Sequence, residues 1–569
     1  MRQINFISVL FAIVFSSVCG TAGLFQKIHA KNGMLYYEDG QEVCLWGVNF
    51  QPGLSFEYAA RMEDQNLLVP LKADDLKQVA DQSFDELQIL NCSLIRIHIC
   101  PADFTDRQGN LQETIWLDVL DYTMAQAEHR GIYIYLTFLN DMPHGGFQFR
   151  PNEDSFASVF PRAQWMIHDE AITATGNYIR QLLNRTNPYT GELYKNSPAL
   201  AFVEPINEPD YSPADPERYD SVKSYVNRMV ALFRSEGITL PVVWNCGWPK
   251  LIRGRDDVFQ AIADSDADAV SFCMYPGQED LKHPYWAHME NLKDKNFLPY
   301  IQRCFDDPEY LRWVLAERFA GKAKVVYEYE TICNQSSYLY PAMAKVFRSL
   351  GAQVAAHWTY ALTGYAEYSG GSHVLNLKTT PGKAASFMLA GRVFETVPLY
   401  SEYSTTTSET DVFNNTALSF SQDLSAGINN GMLIHSRTLP EHFLPEVSSP
   451  QKITGVGSSP FVKYDGSGLY FIKPAENDAL RVTIFPDSKF ILPHWKEERT
   501  GELVVQLDPE TNHRFELSLP EYAPPRFVYR KQNFRWVPVE STVNGNAIQF
   551  SARAGEYLIE KAPVIIPEK

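Results

Sequence analysis

Residues 199–209 read Ala199-Leu200-Ala201-Phe202-Val203-Glu204-Pro205-Ile206-Asn207-Glu208-Pro209. Up to Val203 the run is apolar without alternation, as a strand is when both of its faces are covered. Such strands belong to parallel sheets wrapped by helices. The run then breaks into polar groups, Glu204, Asn207 and Glu208, punctuated by Pro205 and Pro209. In a barrel whose active site lies at the C-terminal ends of its strands, this is where reactive carboxylates belong.

The same texture repeats on either side. Upstream, residues 43–49, 93–99 and 132–138 read as strands, separated by helical spacing over 74–90, 116–128 and 165–183. Downstream, 241–245, 269–274, 324–327 and 353–358 read as strands. Helical spacing covers 219–235, 310–319, 340–350 and 381–394, with Gly237 and Gly351 as helix stops and Pro381 at a helix start. Eight strands with helices between them predict a (β/α)8 barrel. After residue 400, clusters of Ser, Thr, Asn and Gly separate short alternating segments at 468–472, 480–485, 527–529 and 556–559. The expected organisation is therefore a barrel over 24–400 followed by a smaller, all-β, sandwich-like domain over 401–569.

Ahead of both, Arg2, an apolar run over 6–15 and the small residues Ser16, Ser17, Gly20 and Ala22 read as a secretory signal peptide over 1–23. The expected location is outside the cytoplasm: secreted, periplasmic or at the cell surface. Cys19 is a candidate lipid-anchor site, although Ser16-Ser17-Val18 matches a lipidation box poorly.

At 569 residues the chain exceeds one ordinary core, and 45% hydrophobic with 21% charged residues is globular composition. A net charge of −18 argues against nucleic acid as a partner and is neutral towards a glycan. Aromatic residues make up 13% of the chain, a weak lean towards platforms for the apolar faces of sugars. The eight cysteines form no C-x-x-C pair and no zinc spacing, and Cys44, Cys92, Cys246 and Cys273 read as buried thiols.

Glycoside hydrolysis needs two carboxyl groups at one anomeric carbon. At strand exits the sequence offers Glu208 and, in Val325-Val326-Tyr327-Glu328-Tyr329-Glu330, both Glu328 and Glu330. Asn207-Glu208-Pro209 at a strand end resembles the acid/base motif of glycoside hydrolase clan A, family 5 above all. The upstream stretch 187–199 also resembles mannanase-like members. The resemblance spans roughly residues 40–392. It implies a retaining β-glycosidase with Glu208 as acid/base, Asn207 on the sugar 2-hydroxyl and Glu328 as nucleophile, with Glu330, on the same strand parity, as rival. It further implies Arg96 holding the nucleophile ionised, Tyr275 bonding to it and Trp358 as a floor under the reacting sugar. The family's His-x-Tyr is Cys273-Met274-Tyr275 here, so its His is missing. Asp141 and His144 lie in a polar loop over the mouth, Trp248 and Trp286 are candidate platforms, and Glu204 reads as an interior residue paired with a cation. The implied substrate is a β-linked glycan or oligosaccharide of mannan-, glucan- or galactan-like type, with no metal or organic cofactor. Sugar, linkage, exo or endo action and oligomeric state stay open. The competing reading is a carbohydrate-binding or surface protein that kept the barrel without turnover.

Overall fold

A computed structural model of the chain describes residues 25–50, 73–140, 152–211, 218–247, 255–276, 295–330, 336–363, 366–368, 374–404, 409–444, 449–492, 503–519 and 526–563. Residues 1–24 with Cys19, and Asp141, His144, Trp248 and Trp286, lie outside the described residues.

Eight parallel strands build the barrel: β1 (Leu45–Asn49), β2 (Leu94–His98), β3 (Tyr133–Thr137), β4 (Leu200–Glu204), β5 (Val243–Asn245), β6 (Ala269–Met274), β7 (Ala323–Tyr329) and β8 (Ala352–His357). They pair in the order β4-β3-β2-β1-β8-β7-β6-β5. A parallel bridge from Val203 to Val242 joins β4 to the start of β5 and closes the ring. Every residue of these strands is buried, which explains why they read as continuous apolar runs. Tyr135, Phe202, Val243, Val325 and Val354 fill the interior, together with Ile28 and Leu35 from a short hairpin at the start of the described chain. Gln353 on β8 holds that hairpin through both the N–H and the C=O of Leu35, at 2.6 and 2.8 Å.

Among the described residues a main helix follows each strand: α1 (Ala73–Ile89), α2 (Ile115–His129), α3 (Asp169–Leu183), α4 (Arg218–Ser235), α5 (Asp256–Ala263), α6 (Leu298–Asp306), α7 (Tyr340–Ser349) and α8 (Pro381–Thr396). Gly237 and Gly351 follow α4 and α7 in left-handed conformations, at φ 85° and 84°, as helix stops do. Three expectations change. The helix expected over 310–319 is two 3-10 turns, Arg312–Leu315 and Glu317–Phe319. Its buried residues pair at a spacing of three, Tyr310 with Trp313 and Leu311 with Val314, which suits a 3-10 repeat rather than an α-helix. The helix after β6 is α6, which buries Leu298, Ile301 and Phe305 on one face, and α5 likewise went unread. The helix expected from Trp165 begins at Asp169, where Asp169 and Glu170 occupy the first turn. Cys44, Cys92, Cys246 and Cys273 are thiols, and all but Cys44 are buried.

Beyond α8 the described chain is β apart from the 3-10 turn Glu476–Asp478. A ten-stranded sheet runs from Thr410–Phe413 at one edge to Arg535–Val539 at the other, and a four-stranded sheet lies against it. Alternation along the strands divides the side chains of the large sheet between two cores. Ala417, Leu433 and Tyr470 face the four-stranded sheet with Phe515 and Phe550, whereas Leu418, Ile434 and Leu469 join the barrel's core beside α8. Polar contacts follow the same contact surface. Asp423 Oδ1 accepts from Ser337 N at 2.5 Å, and Ser425 Oγ donates to Ser337 O at 2.6 Å, on the approach to α7. Val504 N donates to Glu367 O and Ser488 Oγ to Thr379 O, both at 2.8 Å, between β8 and α8.

Because one core is shared, Leu418→Ala is expected to destabilise the whole molecule by about 2–5 kcal/mol. Calorimetry should show one transition moved to lower temperature. A split into two transitions, with the barrel's midpoint unchanged, would contradict a shared core.

Candidate active site

Arg96 lies on β2 inside the barrel without solvent exposure. A guanidinium there needs counter-charge and acceptors. Its Nη2 donates to Glu204 Oε1 at the end of β4 and to Asn207 Oδ1 at 2.8 Å. Its Nη1 donates to Asn49 Oδ1 at 3.0 Å and Glu328 Oε1 at 3.2 Å, and touches His98 Nε2. The rings of Tyr135 and Tyr327 lie 5.2 and 5.0 Å from the guanidinium carbon, within cation–π range. Burial alone would lower the Arg96 pKa, but the nearby carboxylates, Glu204 foremost, outweigh it and hold the group above its usual value.

Glu204 is the cation-paired interior carboxylate that its place in the strand suggested. Besides Arg96 it accepts from the Tyr135 hydroxyl, from Thr137 Oγ1 at 3.0 Å and from Ser271 Oγ at 3.2 Å. Its donors lie on β2, β3 and β6, so it ties strands together across the barrel.

Glu328 is 5% exposed. Its Oε2 accepts from Tyr275 Oη at 2.8 Å, and its Oε1 stands 3.6 Å from His98 Nε2. Burial, then the facing charge of Glu208, push the Glu328 carboxyl up to about 8, against the pull of Arg96 and Tyr275. A carboxyl that is buried and faces a second negative charge keeps its proton to higher pH. Burial, then the charge of Glu328, raise Tyr275 well above the usual phenol value, so it stays a donor. Cys273, which stands where the resembling family has His, is fully buried. Burial and then Glu208 push its thiol up, keeping it protonated.

A backbone irregularity brings Tyr327 to the same place. On β7 the pairing with β6 steps from Val326–Phe272 to Glu328–Cys273, leaving Tyr327 as an extra residue. Regular alternation would send the side chains of residues 327 and 328 to opposite faces. The bulge lets both serve the site. Tyr327 Oη donates to Glu208 Oε1 at 2.7 Å while Glu328 meets Arg96 and Tyr275. Glu330 turns elsewhere. It is fully buried, accepting from Tyr340 Oη at 2.9 Å and pairing with Lys383 Nζ at 3.0 Å and His357 Nε2 at 2.8 Å. Its expected parity with Glu328 does not hold, because its carboxyl partners lie on α7, α8 and β8 rather than at Arg96 and Tyr275.

Glu208 follows β4 in a left-handed conformation at φ 42°, with its side chain half-buried. Arg162 Nη2 donates to Asn207 O at 2.5 Å and also to Glu208 O. Trp358 is 8% exposed and stacks on His98, with ring centroids 5.1 Å apart. Burial, then the charges of Arg96 and Arg162, hold the His98 pKa well below its ordinary value, so the ring is neutral. Asn140 Nδ2 meets its Nδ1 at 2.6 Å.

The structure thus gathers Arg96, Asn207, Glu208, Tyr275, Glu328 and Trp358 at the C-terminal ends of the strands. Sequence reading passed over His98, Asn140, Arg162 and Tyr327. His98 was within reach of it, being two residues beyond Arg96 on the same strand face; Arg162 on a turn and Tyr327 on a bulge carry no sequence signal. Among the described residues no group of three or more His, Cys, Asp or Glu is placed to hold a metal ion.

No protein-family model matches the sequence, and no curated protein matches it. Among solved structures, the chain is similar to an endo-1,4-beta-mannanase from Rhizomucor miehei. That protein is 14% identical with a TM-score of 0.45, over 65% of this chain and 99% of that one. An endo-beta-1,4-mannanase from Thermotoga petrophila is 13% identical with a TM-score of 0.47, over 90% and 98% of the two chains. A beta-glucanase from Saccharophagus degradans, solved with cellotetraose, is 14% identical with a TM-score of 0.40, over 65% and 93%. The barrel assignment rests on the chain's own strand pairing.

Since the charge of Glu208 is one cause of the raised Glu328 value, Glu208→Gln should lower it. Carbon-13 NMR titration of the Glu328 carboxyl should then find a midpoint clearly below about 8. An unmoved midpoint would mean that the two carboxyls do not sense each other.

Proposed function

We propose that the chain is a retaining β-glycosidase that cleaves β-linked glycans or oligosaccharides by double displacement. The observation that carries this reading is the pairing of two carboxyl groups with different partners. Glu328 is held by a cation and a phenol, while among the described residues Glu208 accepts from a phenol and pairs with no cation.

Contacts from Arg96 and Tyr275 stabilise charge on Glu328, as a nucleophile requires. When Glu208 carries the proton, its opposing charge disappears and Glu328 ionises more easily. Glu328 attacks the anomeric carbon as Glu208 delivers its proton to the glycosidic oxygen and the aglycone leaves. Glu208, now a carboxylate, takes a proton from water. The water oxygen displaces Glu328 from the anomeric carbon, which returns the sugar with its configuration retained and the proton on Glu208. Asn207 is oriented by Arg96 to meet a sugar hydroxyl, and the Trp358 ring offers a flat surface beside the nucleophile. The Asn207-Glu208-Pro209 motif supports the same assignment.

The test uses aryl β-glycosides on the full chain. Glu328→Ala should lose hydrolysis by a factor of about 10⁴ or more, given the weight of a covalent nucleophile. Added azide should then yield the α-glycosyl azide from a dinitrophenyl substrate, as direct attack from the vacated face predicts. Glu208→Ala with azide should yield the β-glycosyl azide instead. Loss and rescue at Glu330→Ala, with Glu328→Ala fully active, would overturn the assignment. A wild-type chain that binds glycans without releasing product would favour a binding protein.

A further inference from the structure

Glu208 is a residue that should resist its own backbone. A non-glycine residue in the left-handed region costs on the order of 1–3 kcal/mol. The following Pro209 adds to this, since the residue before a proline is driven towards extended conformations. Such a conformation persists only where the surroundings impose it. From the N-terminal side, Asn207 is fixed by its N–H on Leu139 O at 2.8 Å and by Arg96 on its side chain. From outside the strand, the fixing group is Arg162. In an extended chain successive carbonyls point opposite ways, but the left-handed turn brings those of Asn207 and Glu208 to one side. A single nitrogen, Arg162 Nη2, reaches both.

Arg162 is itself well placed to act as a fixed point. It opens the 3-10 turn Arg162–Gln164 in the connection between β3 and α3. Trp165, fully buried directly after this turn, donates from Nε1 to Phe160 O at 2.9 Å. Gln164 N donates to Pro161 O at 2.7 Å, and His168 N to Gln164 O at 2.8 Å. The turn is thus tied at both ends before the guanidinium leaves it. The Arg162 charge is also felt at His98, so it lies within electrostatic reach of the nucleophile's surroundings.

We propose that Arg162 is a positioning residue for Glu208, a guanidinium clip that holds the acid/base carboxyl in its left-handed backbone and against the Tyr327 hydroxyl. The inference rests on the reading of Glu208 as acid/base. Without the clip, Glu208 relaxes towards the extended conformation its proline favours, and its carboxyl leaves Tyr327. Proton delivery suffers while Glu328, held by Arg96 and Tyr275, stays in place.

The experiment measures kcat/KM of the full chain on aryl β-glycosides with good and poor leaving groups. A dinitrophenolate leaves without protonation, whereas an unactivated phenol needs the acid. Arg162→Met should lose about 10²-fold or more on the poor leaving group, the usual scale of general acid catalysis. On the dinitrophenyl substrate it should stay within a few-fold of wild type. Arg162→Lys, which keeps the charge but not the fork, should show the same selectivity at smaller amplitude, and serves as the test if Arg162→Met does not fold. Equal losses on both substrates would make Arg162 a merely structural residue, and no loss on either would remove the clip; both results overturn the proposal. Failure of the underlying reading looks different, because then the wild-type chain itself hydrolyses neither substrate.

Discussion

The site is built around one buried cation. The Arg96 guanidinium sits where water cannot reach it, and an uncompensated ion in such a place costs several kcal/mol. Compensation comes from Glu204 at the end of β4, Asn207 just beyond it, Glu328 on β7 and Asn49 on β1. Groups distant in the chain are thereby drawn to one point inside the ring. The arrangement that neutralises the charge also positions the carboxylate we assign as nucleophile, so the stability of the barrel's mouth and the chemistry proposed for it share the same bonds.

Tyr327 and Glu208 each depart from regular backbone, and the two departures meet at that mouth. The bulge at Tyr327 turns an extra phenol inward, and the left-handed turn at Glu208 presents a carboxyl to it. Neither is what an isolated strand or loop would choose. Each persists because neighbours over-determine it, and such irregularities concentrate where side chains must be aimed. The Tyr327–Glu208 bond joins the strand that carries Glu328 to the loop that carries Glu208. The spacing of the two carboxyls therefore depends on both irregularities together.

The all-β region is part of this support. Its large sheet shares a core with α8 through Leu418, Ile434 and Leu469. Asp423 and Ser425 grip Ser337 on the approach to α7, downstream of Glu328, while Ser488 and Val504 bond to the connection between β8 and α8 that begins at Trp358. The two connections that follow β7 and β8 are thus held from outside the barrel. A loop needs such external anchors when its own backbone groups find few partners.

The sequence by itself determined the eight covered strands, six of the eight helices to within a few residues at their ends, and the change to β texture after residue 400. Continuous apolar runs and 3.6-residue spacing are local patterns, set by which faces a segment must bury. It also marked Glu208, Asn207, Arg96 and Tyr275, because strand exits are local features and the barrel places them all at one end. Tertiary structure decided the rest. The different surroundings of Glu328 and Glu330 come from Lys383 and His357, which arrive from α8 and β8 to meet Glu330. The roles of Tyr327 and Arg162 came from a bulge in one strand pairing and from a turn packed on Trp165. Those depend on contacts between segments far apart in the chain, and periodicity within one segment carries no record of them.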